Sequence, residues 1–403
     1  MTKLVFLPKN QATLIMINIV LHDTDPVRTN LLPLTFTRPV GALRCGILTI
    51  AQKWETMLHV SVNYATEEYL SELFPKAETT QSVHVAANII PSPAMALAVM
   101  DLKRGQLLML NGQPAAWTDS PDEAQPEVLP CPEPVGIINH TYDIFTLNGK
   151  ALEADFELLT DGKESMTPHE SCTVIGPMKN LFIAPGASVV GCTLNVCGGP
   201  IFIGPEAQVM EGSCLRGPIA VCEHSSVNMG TRIYGATTIG PHSKVGGEIN
   251  NVVIQGYSNK AHDGFLGNAV IGEWCNLGAG CVASNLKNDY TEIKLWNYGM
   301  RRFMRTGLQF CGLIMGDHSK AGINTMFNTA TTLGVGVNIH GTGFPRNFVP
   351  SFSEGSPGGG FSDVPLSKFF AIAERVMARR DIELSDAHKK MFTALHFITE
   401  QYK

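Results

Sequence analysis

Three arginines fall within seventeen residues near the start of the chain: Arg28, Arg38 and Arg44. A guanidinium offers a fixed fork of donors that matches phosphate oxygens, so such a cluster suits a triphosphate or a sugar phosphate. A salt-bridged surface loop is the plainer alternative. Far along the chain, His262 stands in a polar stretch with Lys260 before it and Asn276 and Asn285 after it. Histidine titrates near neutral pH, which suits it to general-base work. Taken alone, a loop histidine more often only stabilises a turn. The ten cysteines form no C-x-x-C pair, which argues against zinc and redox motifs and predicts reduced thiols. Cys275 and Cys281 lie six apart and read as small core residues.

The elements that must position these residues fall into two textures. Residues 14 to about 120 alternate between strand and helix patterns. Leu14–Leu21, Val83–Ile90 and Leu107–Leu110 read as strands; Gly46–Leu58, Glu67–Phe74 and Pro93–Leu102 read as helices. Such alternation predicts a parallel sheet covered by helices, an α/β domain over 14–160. The arginines then lie between the first strand and the first helix, at the carboxyl edge where ligands bind in such sheets. Asp119–Pro134, rich in proline, reads as a linker, and Gly149–Leu158 as a helix leading away. The first fifteen residues read as a leader that the fold does not need.

From about residue 171 the texture changes to a register of six. Ile203, Val209, Leu215, Val221, Val227, Ile233, Ile239 and Val245 are eight consecutive apolar hits. The register returns at Ile183, Val189, Ile271, Leu277, Met315, Ala321, Phe327, Leu333 and Ile339. Each hexapeptide is one short strand plus a tight turn, and three of them close one triangular coil of about 18 residues. Stacked coils bury a continuous core. The expectation is an all-β parallel β-helix over 165–350. The register breaks at Asn250–Gly267 and at Asn285–Gln309, and both breaks are expected to be loops that carry chemistry. Ser353–Gly360 reads as a linker. Leu366–Arg380 and Ala387–Tyr402 read as helices of a tail over 361–403, with Ser385 and Asp386 as cap candidates.

Bulk composition sets outer limits. The net charge of -6 speaks against nonspecific nucleic-acid binding, yet a local arginine cluster can still hold a small anion. Hydrophobic residues at 44% and charged ones at 16% fit a soluble globular chain. The apolar stretch Leu14–Leu21 is too short to span a bilayer, and no signal-peptide pattern opens the sequence, so a cytoplasmic protein without a membrane span is expected.

The stretch from His262 to Asn285 resembles the acetyltransferase half of the bacterial bifunctional enzymes that make UDP-N-acetylglucosamine. The matching positions are His262, Leu266-Gly267-Asn268-Ala269, Asn276 within Ile271–Gly280, and Asn285, with no gap over 24 residues. The resemblance implies a left-handed coil, acetyl-CoA as co-substrate and a homotrimer. It implies His262 as the general base that takes a proton from the amine of glucosamine 1-phosphate. Asn276 and Asn285 match sugar-phosphate ligands, and Ala279 a backbone group facing the acyl carbon. Two departures stand out. Phe265 replaces a tyrosine, and a phosphate-binding lysine of the preceding coil is replaced near Asn250, leaving Arg232 and Lys260 as substitutes.

The N-terminal half is similar to a divergent subfamily with a short nucleotidyltransferase-like domain fused to this coil. It shares Arg38-Pro39, Arg44-x-Gly46, Asn88–Pro91 and Tyr142-Asp143-Ile144-Phe145. The likeness implies transfer of a nucleotidyl group from UTP or dTTP to a sugar 1-phosphate, with Arg28, Arg38, Arg44 and Asn88 on the nucleotide. Such transfer uses Mg²⁺, for which Asp23 and Asp143 are the candidate carboxylates. Other readings remain open: a nucleotidyltransferase for another sugar with the coil as a trimerisation scaffold, or a subunit that binds a nucleotide sugar without turnover.

Overall fold

The structure is a computed structural model that describes residues 18–76, 82–119 and 125–403. The leader, the start of the first expected strand and part of the proline-rich segment lie outside the described residues. The N-terminal domain is a six-stranded sheet. Asn18–His22 lies between Val62–Ala65 and Ser82–Ala86, both parallel to it. Gln113–Thr118 then joins antiparallel to Ser82–Ala86, followed by Gln106–Leu110 and Glu127–Pro130. The parallel core is as the alternation predicts; the added hairpin is not. Gln106–Leu110 and Gln113–Thr118 pair antiparallel across the tight Asn111-Gly112 turn, which the sequence offers as a hairpin signal. The strand Glu127–Pro130 also sits inside the segment expected to be a linker.

Two helix expectations need correction. Residues 67–74 form one 3-10 turn, Glu68–Leu70, and not a helix. The helix expected at Gly46 starts at Ile50, where the Thr49 hydroxyl accepts from the Gln52 N–H and Gln52 answers in a capping box. A third element is longer than expected. Tyr142–Phe145 and Gly149–Leu158 are one helix, Thr141–Thr160. Its Leu152 and Phe156 pack on Phe182, Phe202 and Ala220, which project outward from the coil. The amide of Asn148 donates to the carbonyl of Ala236 at 2.9 Å. This helix is therefore the joint between the two regions.

The second region is a left-handed coil of parallel strands. Ile203, Val221 and Ile239 stack on successive rungs, as do Val209, Val227 and Val245. Every position of the hexapeptide register is buried, from Ile183 at 2% exposure to Ile339 at 0%. Alternation along each short strand puts these side chains inside and their neighbours outside.

The first break is no loop. Glu248–Gly256 and Phe265–Glu273 are nine-residue strands that stay on the coil in parallel register, with Ile254 beside Ile271. From Val221 to Ile239 one turn takes 18 residues, from Ile239 to Ile254 only 15, and from Ile254 to Ile271 17. Asn251 and Asn268, at φ of +57° and +45°, turn the corner inside these long strands. The reading frame of six slips although the coil continues. The second break does leave the coil. It carries the hairpin Lys294–Asn297 with Arg302–Arg305, and its Tyr298 is buried against Phe36, Phe348 and Tyr402.

The expected linker at 353–360 is the last rung instead. Ser353–Ser356 extends the ladder beside Asn338–Ile339, then turns back on Gly360–Asp363. The tail helices are Leu366–Ala378 and Asp386–Thr399, and Ser385 caps the second. Phe369, Met377, Phe392 and Leu395 lie in one apolar cluster with Trp274, Val335 and Phe352 of the coil and Leu32, Phe36 and Leu70 of the N-terminal domain. All three parts thus share one interior. Among the described residues no helix is long and apolar enough to cross a membrane.

Candidate active site

On one face of the coil, Lys244, Asn259 and Asn276 stand side by side on successive rungs. Each precedes or follows an inward residue, so the pleat turns it outward. His262 follows two residues after Lys260 and is exposed. Ala279 lies on the next coil. The end of the first tail helix closes the side with Arg379 and Arg380. These residues line a cleft of about 350 Å³. Three cations and no carboxylate line it. Arg380 is held in place by the carbonyl of His242 at 3.3 Å and the side chain of Asn259 at 3.5 Å.

Around Ala279 the backbone is selectively engaged. The N–H of Gly278 donates to Ala321 and that of Gly280 to Asp263. Among the described residues no bond uses the N–H of Ala279 between them. Nor does any hydrogen bond engage the imidazole of His262, which is open to the cleft.

The structure therefore brings together His262, Asn276 and Ala279, and keeps the other candidates apart. Lys260 points into the coil beside Val245, 1% exposed, where the register calls for an apolar side chain. Its ammonium donates to the carbonyls of Gly246 and His262, and burial lowers its pKa. It holds the backbone of His262 and does not face the cleft. Asn285 lies elsewhere on the coil, its amide donating to Asn268 at 2.8 Å. Arg232 sits on a different face, ion-paired with Glu248 at 3.8 Å. The cations that do line the cleft were missed from sequence. Lys244 had a signal, because it directly precedes the inward Val245. Arg379 and Arg380 had none, since the tail lies outside the repeat. Cys275 and Cys281 are buried free thiols, and burial pushes Cys275 up to about 12.

The three N-terminal arginines are turned into the protein. Arg38 lies between Glu273, at 2.8 Å, and Asp317, both on the coil. Arg44 donates to the carbonyls of Gln255 and Ile47, and its own N–H donates to the Gln255 side chain at 2.7 Å. Arg28 donates to the Thr35 carbonyl and the Tyr69 hydroxyl and pairs with Glu67. All three guanidinium groups make contacts within the protein, although Nε of Arg28 and of Arg38 has no hydrogen-bond partner among the described residues. The neighbouring Gly46 also serves packing. At φ +88° it lies so close to the joint helix that a Cβ would come within 2.9 Å of the Ala151 backbone.

The carboxylates expected to hold Mg²⁺ already accept hydrogen bonds within the protein. Asp23 accepts from the Val40 N–H and the Thr66 hydroxyl and pairs with Arg28; burial raises its pKa to about 6. Asp143 accepts from the N–H groups of Asn139 and His140 and caps the joint helix. No group of three metal-ligating side chains occurs among the described residues.

What the N-terminal domain offers instead is a cavity of about 810 Å³ at the carboxyl ends of Asn18–His22 and Ser82–Ala86. Asn88 lines it, its amide donating to Asn139 at 3.1 Å. Thr24, Asp25, Gln113, Trp117 and Asp119 line it too, and among the described residues no lysine or arginine does.

Comparison with known proteins sorts these regions. Residues 19–164 match the family "Sugar nucleotidyl transferase". This region, well under half of the chain, is similar to sugar nucleotidyl transferases. The chain is also similar to a "Bifunctional sugar-1-phosphate nucleotidylyltransferase/acetyltransferase" of Sulfurisphaera tokodaii, 27% identical over 144 residues, covering 35% of each chain. It is 24% identical over 172 residues to the "Bifunctional protein GlmU" of Synechococcus elongatus, covering 41% of this chain and 33% of that one. The counterpart in Corynebacterium glutamicum is 28% identical over 172 residues, covering 39% and 30%. The matches thus span about a third of the length of these relatives. Among solved structures, that of the polysialic acid O-acetyltransferase OatWY aligns with 48% of this chain and 88% of its own, at 13% identity and a TM-score of 0.25. The region similar to sugar nucleotidyl transferases thus carries the 810 Å³ cavity, and the coil carries the cationic cleft.

Proposed function

We propose that the protein is a bifunctional sugar-phosphate acetyltransferase and nucleotidyltransferase, with acetyl transfer at the His262 cleft. The observation that carries this reading is the convergence of His262, Asn276 and Ala279 with Lys244, Arg379 and Arg380 in one cleft without carboxylates. Both substrates of such a reaction are anionic, and guanidinium and ammonium groups bind phosphate strongly. The amine of an amino-sugar phosphate, taken here as glucosamine 1-phosphate, attacks the thioester carbonyl of acetyl-CoA. A ring nitrogen of His262 takes the amine proton as the C–N bond forms. The N–H of Ala279 donates to the oxyanion that develops on the carbonyl. The C–S bond then breaks, and the CoA thiolate leaves and is protonated. Asn276 orients the sugar.

The nucleotidyl transferase domain then joins a nucleotide, from UTP or dTTP, to the sugar 1-phosphate and releases pyrophosphate, giving UDP-N-acetylglucosamine in the UTP case. Nucleotidyl transfer of this kind uses Mg²⁺, for which Asp23 and Asp143 are the candidate carboxylates. A homotrimer is part of the proposal, in which Asn285 and Arg232 would meet the cleft of a neighbouring copy.

One experiment tests both activities. Thiol release from acetyl-CoA and pyrophosphate release are measured across several amino-sugar phosphates with UTP and dTTP. His262→Ala should abolish the first and leave the second intact. Acetylation that survives the change removes His262 from the reaction, and no pyrophosphate with any substrate pair removes nucleotidyl transfer from the proposal.

A further inference from the structure

By the hexapeptide register Lys260 is out of place. The inward column that it joins runs Val227, Val245, Lys260, Leu277 and Ala321 over successive turns, all of them buried. Its neighbours above and below are aliphatic. A charged side chain in such a column costs free energy unless its donors are met. Where a residue breaks a local rule at a cost, function is the first place to look for the return.

The ammonium is spent on the backbone that carries His262. It donates to the carbonyl of Gly246 at 3.0 Å and to that of His262 itself. The imidazole of His262 projects into the cleft from the corner 261–264 and has no hydrogen-bond partner among the described residues, so its place depends on this backbone. The corner is held at every carbonyl. That of Ala261 accepts from the Asn228 amide at 2.7 Å. That of Asp263 accepts from the Gly280 N–H at 2.9 Å, and that of Gly264 from the Glu248 N–H at 3.0 Å. Among the described residues no backbone N–H reaches the His262 carbonyl, and Lys260 meets it from inside the coil. The preceding turn also presses on the corner, since a Cβ at Gly246 would come within 2.3 Å of the Ala261 carbonyl.

We propose that Lys260 is a positioning residue for acetyl transfer: an ammonium inside the coil fixes the backbone of His262, and with it the ring that takes the amine proton. This deepens the acetyl-transfer reading and rests on it. A base must stand within hydrogen-bond reach of the proton that it removes, and a small misplacement is costly. Lys260 itself touches no substrate.

Full-length variants test this. Lys260→Met and Lys260→Leu keep an apolar bulk and remove the donors; leucine already stands one turn on, at Leu277. Lys260→Gln keeps an amide donor. Thiol release from acetyl-CoA is followed with the amino-sugar phosphate that the parent acetylates fastest, and melting curves show which variants are folded. In the methionine and leucine variants kcat should fall about tenfold to a hundredfold while the KM for acetyl-CoA stays within about twofold, because a misplaced base weakens the transition state and leaves ground-state binding alone. Lys260→Gln should recover part of the lost kcat. Folded methionine or leucine variants with the parent's kcat, a loss that appears in KM instead, or a glutamine variant no better than the methionine one each overturn the inference. So does failure of both apolar variants to fold, which makes Lys260 a structural residue. A parent that releases no thiol with any amino-sugar phosphate overturns the acetyl-transfer reading and this inference with it, whereas an active parent matched by its variants overturns the inference alone.

Discussion

The two cavities of the proposed reactions are opposites. Among the described residues, the His262 cleft is lined by three cations and no carboxylate, and the larger N-terminal cavity by two carboxylates and no cation. Both regions are proposed to handle phosphorylated sugars. The coil meets that charge with side chains of its own and of the tail. The N-terminal domain turns Arg38 and Arg44 into the joint, where they hold it to the coil. An arginine cluster in sequence thus marks a place where charge must be met, and does not say whether a ligand or the protein meets it.

The sharpest way to break the contrast is His262→Ala. Removing a general base should lower acetyl transfer by ~10²–10⁴-fold. Thiol release from acetyl-CoA is the readout, and an unchanged rate would put the chemistry elsewhere. Next comes Arg38→Ala. It leaves Asp317 as a buried charge without its cationic partner, and should cost about 3–5 kcal/mol of stability. Urea unfolding measures this, while nucleotide affinity at low temperature should not change. A loss of nucleotide binding with little loss of stability would reverse the assignment of that arginine.

Arg379→Ala removes one charge from the cleft. A charge-assisted bond of ~1.5–3 kcal/mol predicts a KM raised about tenfold to a hundredfold, and a weaker dependence on salt. If only kcat falls, Arg379 does not bind substrate. In the N-terminal cavity Trp117→Ala should weaken uridine by about 1–3 kcal/mol, the worth of an aromatic shelf under a base. Calorimetry on uridine beside UTP would then show whether the triphosphate adds anything in a cavity without cations.

The smallest effect is on pH. Burial, and then His84, push His22 down to about 4 from its ordinary 6.5. The unfolded chain binds that proton first, so its stabilising share is full above pH 6.5 and is lost as pH falls toward 4. His22→Phe should flatten the melting temperature across that range. Half-exposure screens the effect, so a shift of a few degrees is the most expected. A variant with the same slope as the parent would exclude His22 as its source.

The coil was legible in the sequence because its cause is local. Side-chain direction alternates along each strand, so an inward residue every six positions follows from strand and turn length alone, and every register position proved buried. The frame hid one thing: a turn shortened to 15 residues loses the register without leaving the coil, so Asn250–Gly267 looked like a loop. His262, Asn276 and Ala279 were legible too, since they lie within 18 residues on adjacent coils. Only tertiary structure could decide the rest. Arg379 and Arg380 reach the cleft through a helix that packs back over more than a hundred residues of chain. Arg38 finds Asp317, 279 positions away. Sequence by itself determined which side chains point in and which out, because that is set by neighbours along the backbone. Which charges meet a partner inside the protein, and which are left to face a ligand, depends on the surface that packs against them, and only the tertiary structure decided that.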